Sequence, residues 1–162
     1  MSGSIENTAP SAPETSNRRD IVMSLSLASR MLPLVRRIVD DVTRLRQTVR
    51  PLRAERDRLD RQRQMLAWPL RRRRYQLHEE LAELEHQLHA CQAELDYLGV
   101  VLFDADSGQV GFPTIVNDRR AYFSWRLGEE GLSYWHFAGE SIRRPIPSAW
   151  VKMSEPRLVK NR

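Results

Sequence analysis

The sequence of 162 residues has one cysteine, seven glycines and no long hydrophobic run. A single cysteine cannot form an internal disulfide, which excludes a disulfide-stabilised scaffold. No stretch of about 18 or more apolar residues is present, so we predict no membrane-spanning helix and no membrane partner. The polar N-terminus lacks the apolar core of a secretory signal. We therefore expect a cytoplasmic protein.

Patterns that would identify a metal or cofactor site are also missing. Neither Cys-x-x-Cys nor His-Glu-x-x-His occurs, so we predict no metal and no cofactor. His86 and His89 lie three residues apart, a spacing that can place two ligands on one helical face. The leucine spacing around them turns both outward, however, which favours a solvated surface.

Charge is abundant but unevenly distributed. The net charge is +5. Residues 30–74 contain fifteen Arg and five acidic residues, whereas residues 75–98 contain six acidic residues and neither Lys nor Arg. Nearly all of the excess positive charge therefore lies in one segment, and an acidic segment follows it.

Apolar spacing in both segments is typical of coiled-coil helices. In the acidic segment, steps of four and three residues connect Leu77, Leu81, Leu84, Leu88, Cys91, Leu95 and Leu98. Cys91 falls on this seam, which favours a buried small residue over a redox role. Residues 24–66 keep the same spacing if two arginines occupy seam positions. Pro33 and Pro51 interrupt this first helix, and the sequence leaves open whether they kink or break it.

Local signals mark the ends of the two predicted helices. Ser24 is the expected N-cap of the first helix. The segment 67–70 predicts the reversal of the chain, because a residue before Pro69 disfavours helix. The second helix is predicted over residues 70–98 and stops at Gly99. Together the two helices predict an antiparallel hairpin.

The spacing changes to strand-like alternation after the second helix, and residues 99–137 predict an antiparallel β-meander. The turn signals lie at residues 104–108, 117–118 and 128–131. With a four-residue last turn, Phe123 lies opposite His136 on the face that packs on the hairpin, and Arg126 lies on the other face. The predicted fold class is therefore α+β, a long antiparallel coiled-coil hairpin with a small antiparallel β-meander at its root.

Composition divides the chain into one domain with two terminal segments. Residues 1–19 are rich in Ser, Pro, Thr, Asn and Glu and predict a disordered tail. Residues 20–151 predict a single domain, in which residues 138–151 form an irregular docking segment. We expect residues 152–162 to form a loose C-terminus.

Two stretches carry motifs that occur together in one known family. The first, residues 23–35, opens a helix that contains a Leu-Pro segment. The second contains motif residues of unknown role: Trp125, Arg126, Gly128, Glu129, Trp135 and His136. Together they resemble the bacterial family catalogued as domain of unknown function 2203, and the resemblance covers roughly residues 21–146. It implies a helical stretch, a charged coiled-coil region and the two short motifs, but no activity.

The arginine-rich segment is the strongest functional signal. Arginine suits phosphate because its planar guanidinium is always charged and can donate two parallel hydrogen bonds. Seven residues near the expected hairpin turn are candidates for nucleic-acid binding: Arg58, Arg61, Arg63, Arg71, Arg72, Arg73 and Arg74. Against this reading, the acidic segment can pair with several of the arginines, and the aromatic residues expected to stack on bases are confined to the sheet.

Three functional hypotheses follow. The first is a non-enzymatic protein-interaction or scaffolding module, which binds a protein partner or a second copy through the hairpin. The second is binding of an RNA or DNA backbone through the arginines. The third is an enzyme with a site at the last β-hairpin, where Arg126, Glu129 and His136 form the one site-like set. The predicted register separates Arg126 from His136, which favours structural roles for both.

Overall fold

The protein consists of a long helical hairpin and a five-stranded antiparallel sheet. A computed structural model describes residues 21–154. The predicted disordered tail over residues 1–19, and residues 155–162 of the predicted loose C-terminus, lie outside the described residues. The predicted α+β fold class with a helical hairpin and a β-meander is confirmed. No helix within the described range is long and apolar enough to cross a bilayer.

The first helix, α1, spans Leu25–Arg61. Ser24 caps it, since the Ser24 Oγ accepts a hydrogen bond of 3.1 Å from the Leu27 N–H. Pro33 and Pro51 both lie inside the helix, and neither breaks it. Both rings are exposed, so water can reach the carbonyls that lose a donor four residues earlier. The helix ends several residues before its predicted end.

The second helix, α2, spans Trp68–Tyr97 and packs against α1. Pro69 lies in its first turn, where a missing N–H removes no hydrogen bond. Gly99 follows its C-terminus with a φ of +74°, the left-handed conformation that glycine adopts most easily. The Val100 N–H donates to the Leu95 carbonyl at 2.9 Å, which satisfies one of the terminal carbonyls of the helix.

The sheet is a meander in which each strand pairs antiparallel with the next. Its strands are β1 Val101–Asp104, β2 Gln109–Val116, β3 Arg119–Arg126, β4 Tyr134–Phe137 and β5 Arg144–Pro145. The turn between β2 and β3 has φ values of 50° at Asn117 and 58° at Asp118, as a tight two-residue hairpin turn requires. The segment expected to be irregular contains β5 and the start of a short helix, α3, Ser148–Ser154.

One face of the sheet and the first half of α1 share the main core. Phe112, Phe123 and Trp125 are buried there, in one apolar cluster with Val35 and Val39. A smaller cluster of buried leucines lies at the far end of the hairpin, and its members are Leu59, Leu66 and Leu77. The hairpin therefore has a root, which packs on the sheet, and a tip far from it. We define the hairpin tip as residues 58–75.

The pairing between β3 and β4 differs from the predicted register by one residue. Phe123 pairs with Trp135, and Tyr122 pairs with His136, whereas the prediction paired Phe123 with His136. The prediction is wrong because a seven-residue connection, and not a four-residue turn, joins β3 to β4. A shift of one residue moves every side chain of a strand to the other face. His136 therefore shares a face with Arg126, on the side away from α1.

Candidate functional site

The hairpin tip carries seven Arg and one Asp, a net charge of +6. Four of the arginines are consecutive, at residues 71–74 near the start of α2. Successive residues of an α-helix are rotated by about 100°, so four neighbours cannot all face the same way. The helical period divides them into two pairs: Arg73 and Arg74 face α1, and Arg71 and Arg72 face away from it.

Arg73 and Arg74 bind carboxylates of α1. Arg73 donates to both oxygens of Glu55, from Nε at 2.8 Å and from Nη2 at 2.9 Å. The Arg74 Nε donates to Asp60 at 2.5 Å, and the His78 Nε2 lies 3.2 Å from the same oxygen. The hydrogen bonds from the two arginines hold the pKa of Glu55 and of Asp60 below their usual values. These two arginines therefore join the helices and offer little free positive charge.

Arg71 and Arg72 lie between two exposed aromatic side chains, Trp68 and Tyr75, which are 70% and 62% exposed. The four residues have the spacing i, i+3, i+4, i+7, which places them on one face of α2. The Arg71 Nε donates to the Leu66 carbonyl at 2.9 Å. Arg72 is exposed and forms no ion pair within 4 Å in the described part of the chain. We call Trp68, Arg71, Arg72 and Tyr75 the tip stripe.

The tip stripe was not predicted from the sequence. The expectation that stacking aromatics are confined to the sheet is wrong, because Trp68 and Tyr75 are exposed at the hairpin tip. A signal was present in the sequence, since the order Trp-x-x-Arg-Arg-x-x-Tyr places aromatic and basic residues on one helical face.

The other arginines of the hairpin tip are also exposed, and they are Arg58, Arg61 and Arg63. Within residues 21–154, none of the three forms an ion pair within 4 Å. Nearer the sheet the situation differs, because Arg46 and Arg50 share Asp106 at 3.1 and 3.3 Å, and Arg53 binds Glu85 at 2.7 Å. Between residues 44 and 75 the unpaired arginines are therefore concentrated at the hairpin tip.

The acidic part of α2 neutralises little of the arginine-rich helix. Arg53 and Glu85 form an ion pair between the two. Glu79, Glu80 and Glu83 form no ion pair within 4 Å with any described residue. Glu83 accepts a hydrogen bond from Gln87 at 3.0 Å, and the charge of Glu80 acts on Arg73 from a longer distance. In the ion pairs at the hairpin tip, the arginines belong to α2 and the acids belong to α1. The acidic segment therefore leaves the positive charge of the hairpin tip largely intact.

The family-motif residues around the β3–β4 connection form a structural network. Trp125 is buried, and its indole N–H donates to the Glu129 carbonyl at 3.0 Å. The Glu129 carboxylate accepts a hydrogen bond of 2.9 Å from the Arg126 N–H. Gly128, between them, has a φ of +99°. The motif thus shapes the connection that follows β3.

Arg143 completes this network, and sequence reasoning did not single it out. Its guanidinium donates two hydrogen bonds of 2.7 Å to Glu129 and one of 3.0 Å to the Ser124 Oγ, and lies 4.3 Å from the centroid of the Tyr134 ring. Burial raises the pKa of Glu129, but the hydrogen bonds from Arg143 and the Arg126 N–H outweigh it, so the pKa is lowered. Glu129 is therefore held as a carboxylate by bonds within the protein.

Arg126, Glu129 and His136 do not converge on a common point. The Arg126 guanidinium donates to the Gln109 side chain at 3.1 Å. His136 is only 4% exposed, and its Nδ1 lies 2.9 Å from the Phe137 carbonyl. Its ring contacts Phe103, and its Nε2 has no hydrogen-bond partner. Trp135, beside it in the motif, packs in the core on the other face of the sheet.

The described chain contains a cleft at the root of the hairpin but no cluster of metal ligands. Residues 21–154 contain no group of three His, Cys, Asp or Glu side chains arranged to hold a metal ion. A cleft of about 490 Å³ lies at the root, beside Tyr97, Pro113 and Tyr122. Its lining contains no His, Cys or Ser, but it includes Asp96 and Arg120, both of which interact with other groups. The cleft is also far along α2 from the arginines of the hairpin tip.

The fold and its surfaces define an α+β protein in which a helical hairpin with a basic tip extends from a β-meander. Residues 22–146 match the family described as uncharacterized conserved protein DUF2203, and the chain belongs to that family. The resemblance seen in the sequence motifs is thereby confirmed. Neither a curated protein nor a solved structure matches the chain.

Proposed function

We propose that this protein is a non-enzymatic nucleic-acid-binding module, which contacts the phosphates of RNA or DNA with its hairpin tip. The observation that carries the proposal is a group of exposed arginines that form no ion pair within 4 Å with any described residue: Arg58, Arg61, Arg63, Arg71 and Arg72. Two acids of α1 near them, Glu55 and Asp60, are already bound by Arg73 and Arg74.

Phosphate is the partner that this chemistry suits best. Several guanidinium groups without acidic partners repel one another, and a polyanion offers each of them a charge-assisted hydrogen bond. Binding also releases the counterions condensed on the nucleic acid, which supplies much of the affinity. The long hairpin holds these charges away from the sheet, where an extended polymer can reach them without a steric conflict.

The two other hypotheses receive less support. Protein binding or self-association through the seam requires apolar seam residues to be available at the hairpin tip. Leu59, Leu66 and Leu77 are instead buried within the hairpin, and the apolar side chains exposed at the tip, Met65 and Leu70, lie outside this buried cluster. An enzyme site at the last β-hairpin requires a free carboxylate, but Glu129 is held by Arg143 and by the Arg126 N–H.

The test is a salt-resolved titration of labelled RNA and DNA with the full chain and two triple variants. The test variant is Arg61→Gln with Arg63→Gln and Arg72→Gln, because these exposed side chains make no ion pair in the described chain. The matched control is Arg30→Gln with Arg37→Gln and Lys152→Gln, which removes the same charge from exposed positions outside the hairpin tip.

Affinity falls with rising salt, and each phosphate contact contributes about 0.9 to the magnitude of the slope of log affinity against log salt. We expect the test variant to reduce that magnitude by up to about 2.7 on duplex DNA. The control should change the slope much less. Absence of binding by the unmodified chain at low ionic strength would overturn the proposal, as would equal effects of the two variants. If the unmodified chain binds a protein partner and no nucleic acid, and the test variant loses that partner, the tip arginines form a protein-binding site and the proposal is overturned.

A further inference from the structure

The tip stripe contains two aromatic side chains that contribute nothing to the core. Trp68 and Tyr75 are mostly exposed, whereas Trp125 and Trp135 are buried in the main cluster. They lie seven residues apart, two helical turns or about 10 Å along the axis of α2. Arg71 lies between them on the same face. The surface therefore alternates apolar ring faces with positive charge.

We propose that the tip stripe binds single-stranded nucleic acid, with bases stacked on Trp68 and Tyr75 and phosphates contacted by Arg71 and Arg72. The inference rests on the proposed function and specifies its ligand. Every base has a π face, and an exposed aromatic ring can stack on it without reading its identity. In a duplex the bases already stack on their neighbours, so the rings gain nothing there. Stacking therefore favours a single strand over a duplex with the same phosphate charge.

The charge pattern along α2 limits the length of this surface. The next residue on the same face after Tyr75 is Glu79, which is exposed and makes no ion pair in the described chain. Its carboxylate repels phosphate, so the strand must leave the helix near Tyr75. On the other side of the hairpin tip, Arg61 and Arg63 can continue the path of the backbone. The expected ligand is a short unpaired segment and not a long strand laid along α2.

The experiment compares an unstructured oligothymidylate with a duplex of the same length, by fluorescence anisotropy at several salt concentrations. The variants are Trp68→Ala and Tyr75→Ala, with Trp68→Phe as the conservative replacement. Tyr97→Ala is the matched control, because Tyr97 lies on the same helix at the root and is 89% exposed. Circular dichroism of each variant verifies that the hairpin is intact.

We expect the unmodified chain to bind the single strand more tightly than the duplex. Trp68→Ala and Tyr75→Ala should each weaken single-strand binding by roughly 5-fold to 100-fold, leave the salt slope unchanged, and barely alter duplex binding. Trp68→Phe should retain most of the affinity, since it keeps a stacking ring. Tyr97→Ala should behave as the unmodified chain does.

The two proposals fail in different ways. Equal affinity for the single strand and the duplex, or alanine variants that bind normally while the arginine variant does not, overturns the stacking inference and leaves the proposed function in place. Failure to bind either oligonucleotide overturns both. Binding to phosphatidylserine vesicles without binding to oligonucleotides also overturns both, because it assigns the aromatic and basic surface to lipid.

Discussion

Arg143 and Glu129 are joined by two hydrogen bonds of 2.7 Å between guanidinium and carboxylate. The same carboxylate accepts the Arg126 N–H at 2.9 Å. One acidic side chain therefore connects the end of β3, the β3–β4 connection and the segment that leads into β5. Because the connection sets how β4 pairs with β3, this pair also supports the register that brings His136 beside Tyr122.

Replacement of Glu129 by Gln should destabilise the sheet. The pair is partly buried, and a hydrogen bond to a charged group contributes about 1.5–3 kcal/mol to stability. We therefore expect the free energy of unfolding to fall by about 2 kcal/mol. Urea denaturation measures the change. Glu130→Gln is the matched control, because Glu130 is exposed and Arg36 contacts its backbone carbonyl and not its carboxylate. Similar small losses in both variants would contradict a structural role for the Glu129 carboxylate.

The contribution of Glu129 should depend on pH in a defined direction. Its pKa in the folded protein lies below the usual value of 4.5, so the folded state favours the ionised form. The stabilisation is therefore present above about pH 4.5 and is lost as the pH falls through the lower folded-state pKa. We expect the stability difference between the unmodified chain and Glu129→Gln to stay near its neutral-pH value down to about pH 4.5 and to shrink as the pH falls further. A difference that stays constant below about pH 4.5 would show that the stability lost in the variant comes from altered packing at residue 129 and not from the lost charge.

The four consecutive arginines of α2 should differ in their effect on stability. Arg73→Gln removes both hydrogen bonds to Glu55, whereas Arg72→Gln removes a side chain that makes no ion pair in the described chain. We expect Arg73→Gln to speed amide hydrogen exchange at the hairpin tip and to lower the Tm slightly, because exposed pairs contribute little. Arg72→Gln should leave both unchanged. Equal exchange rates in the two variants would mean that the Glu55 pair does not hold the tip.

The helices and the turns could be predicted because their signals are local. Leu77, Leu81 and Leu95 repeat along one helical face and are buried, as the spacing indicated. Ser24 and Gly99 mark helix ends through the conformations of their own backbones and close neighbours. The two-residue turn at Asn117 and Asp118 is local in the same sense. Such features involve residues a few positions apart, so the order of amino acids determines them.

The features that matter most for function depend on distances that the sequence does not contain. Whether Arg73 meets Glu55 depends on how far the two helices slide past each other, and the leucine pattern permits several alignments. Whether His136 pairs with Tyr122 depends on the length and shape of the β3–β4 connection, which Arg143 sets from fourteen residues beyond Glu129. The sequence by itself therefore determined two amphipathic helices, a meander and the position of residues 71–74 near the reversal of the chain. Only the tertiary structure decided which arginines are neutralised, because an ion pair requires two side chains from separate elements to lie within a few ångströms.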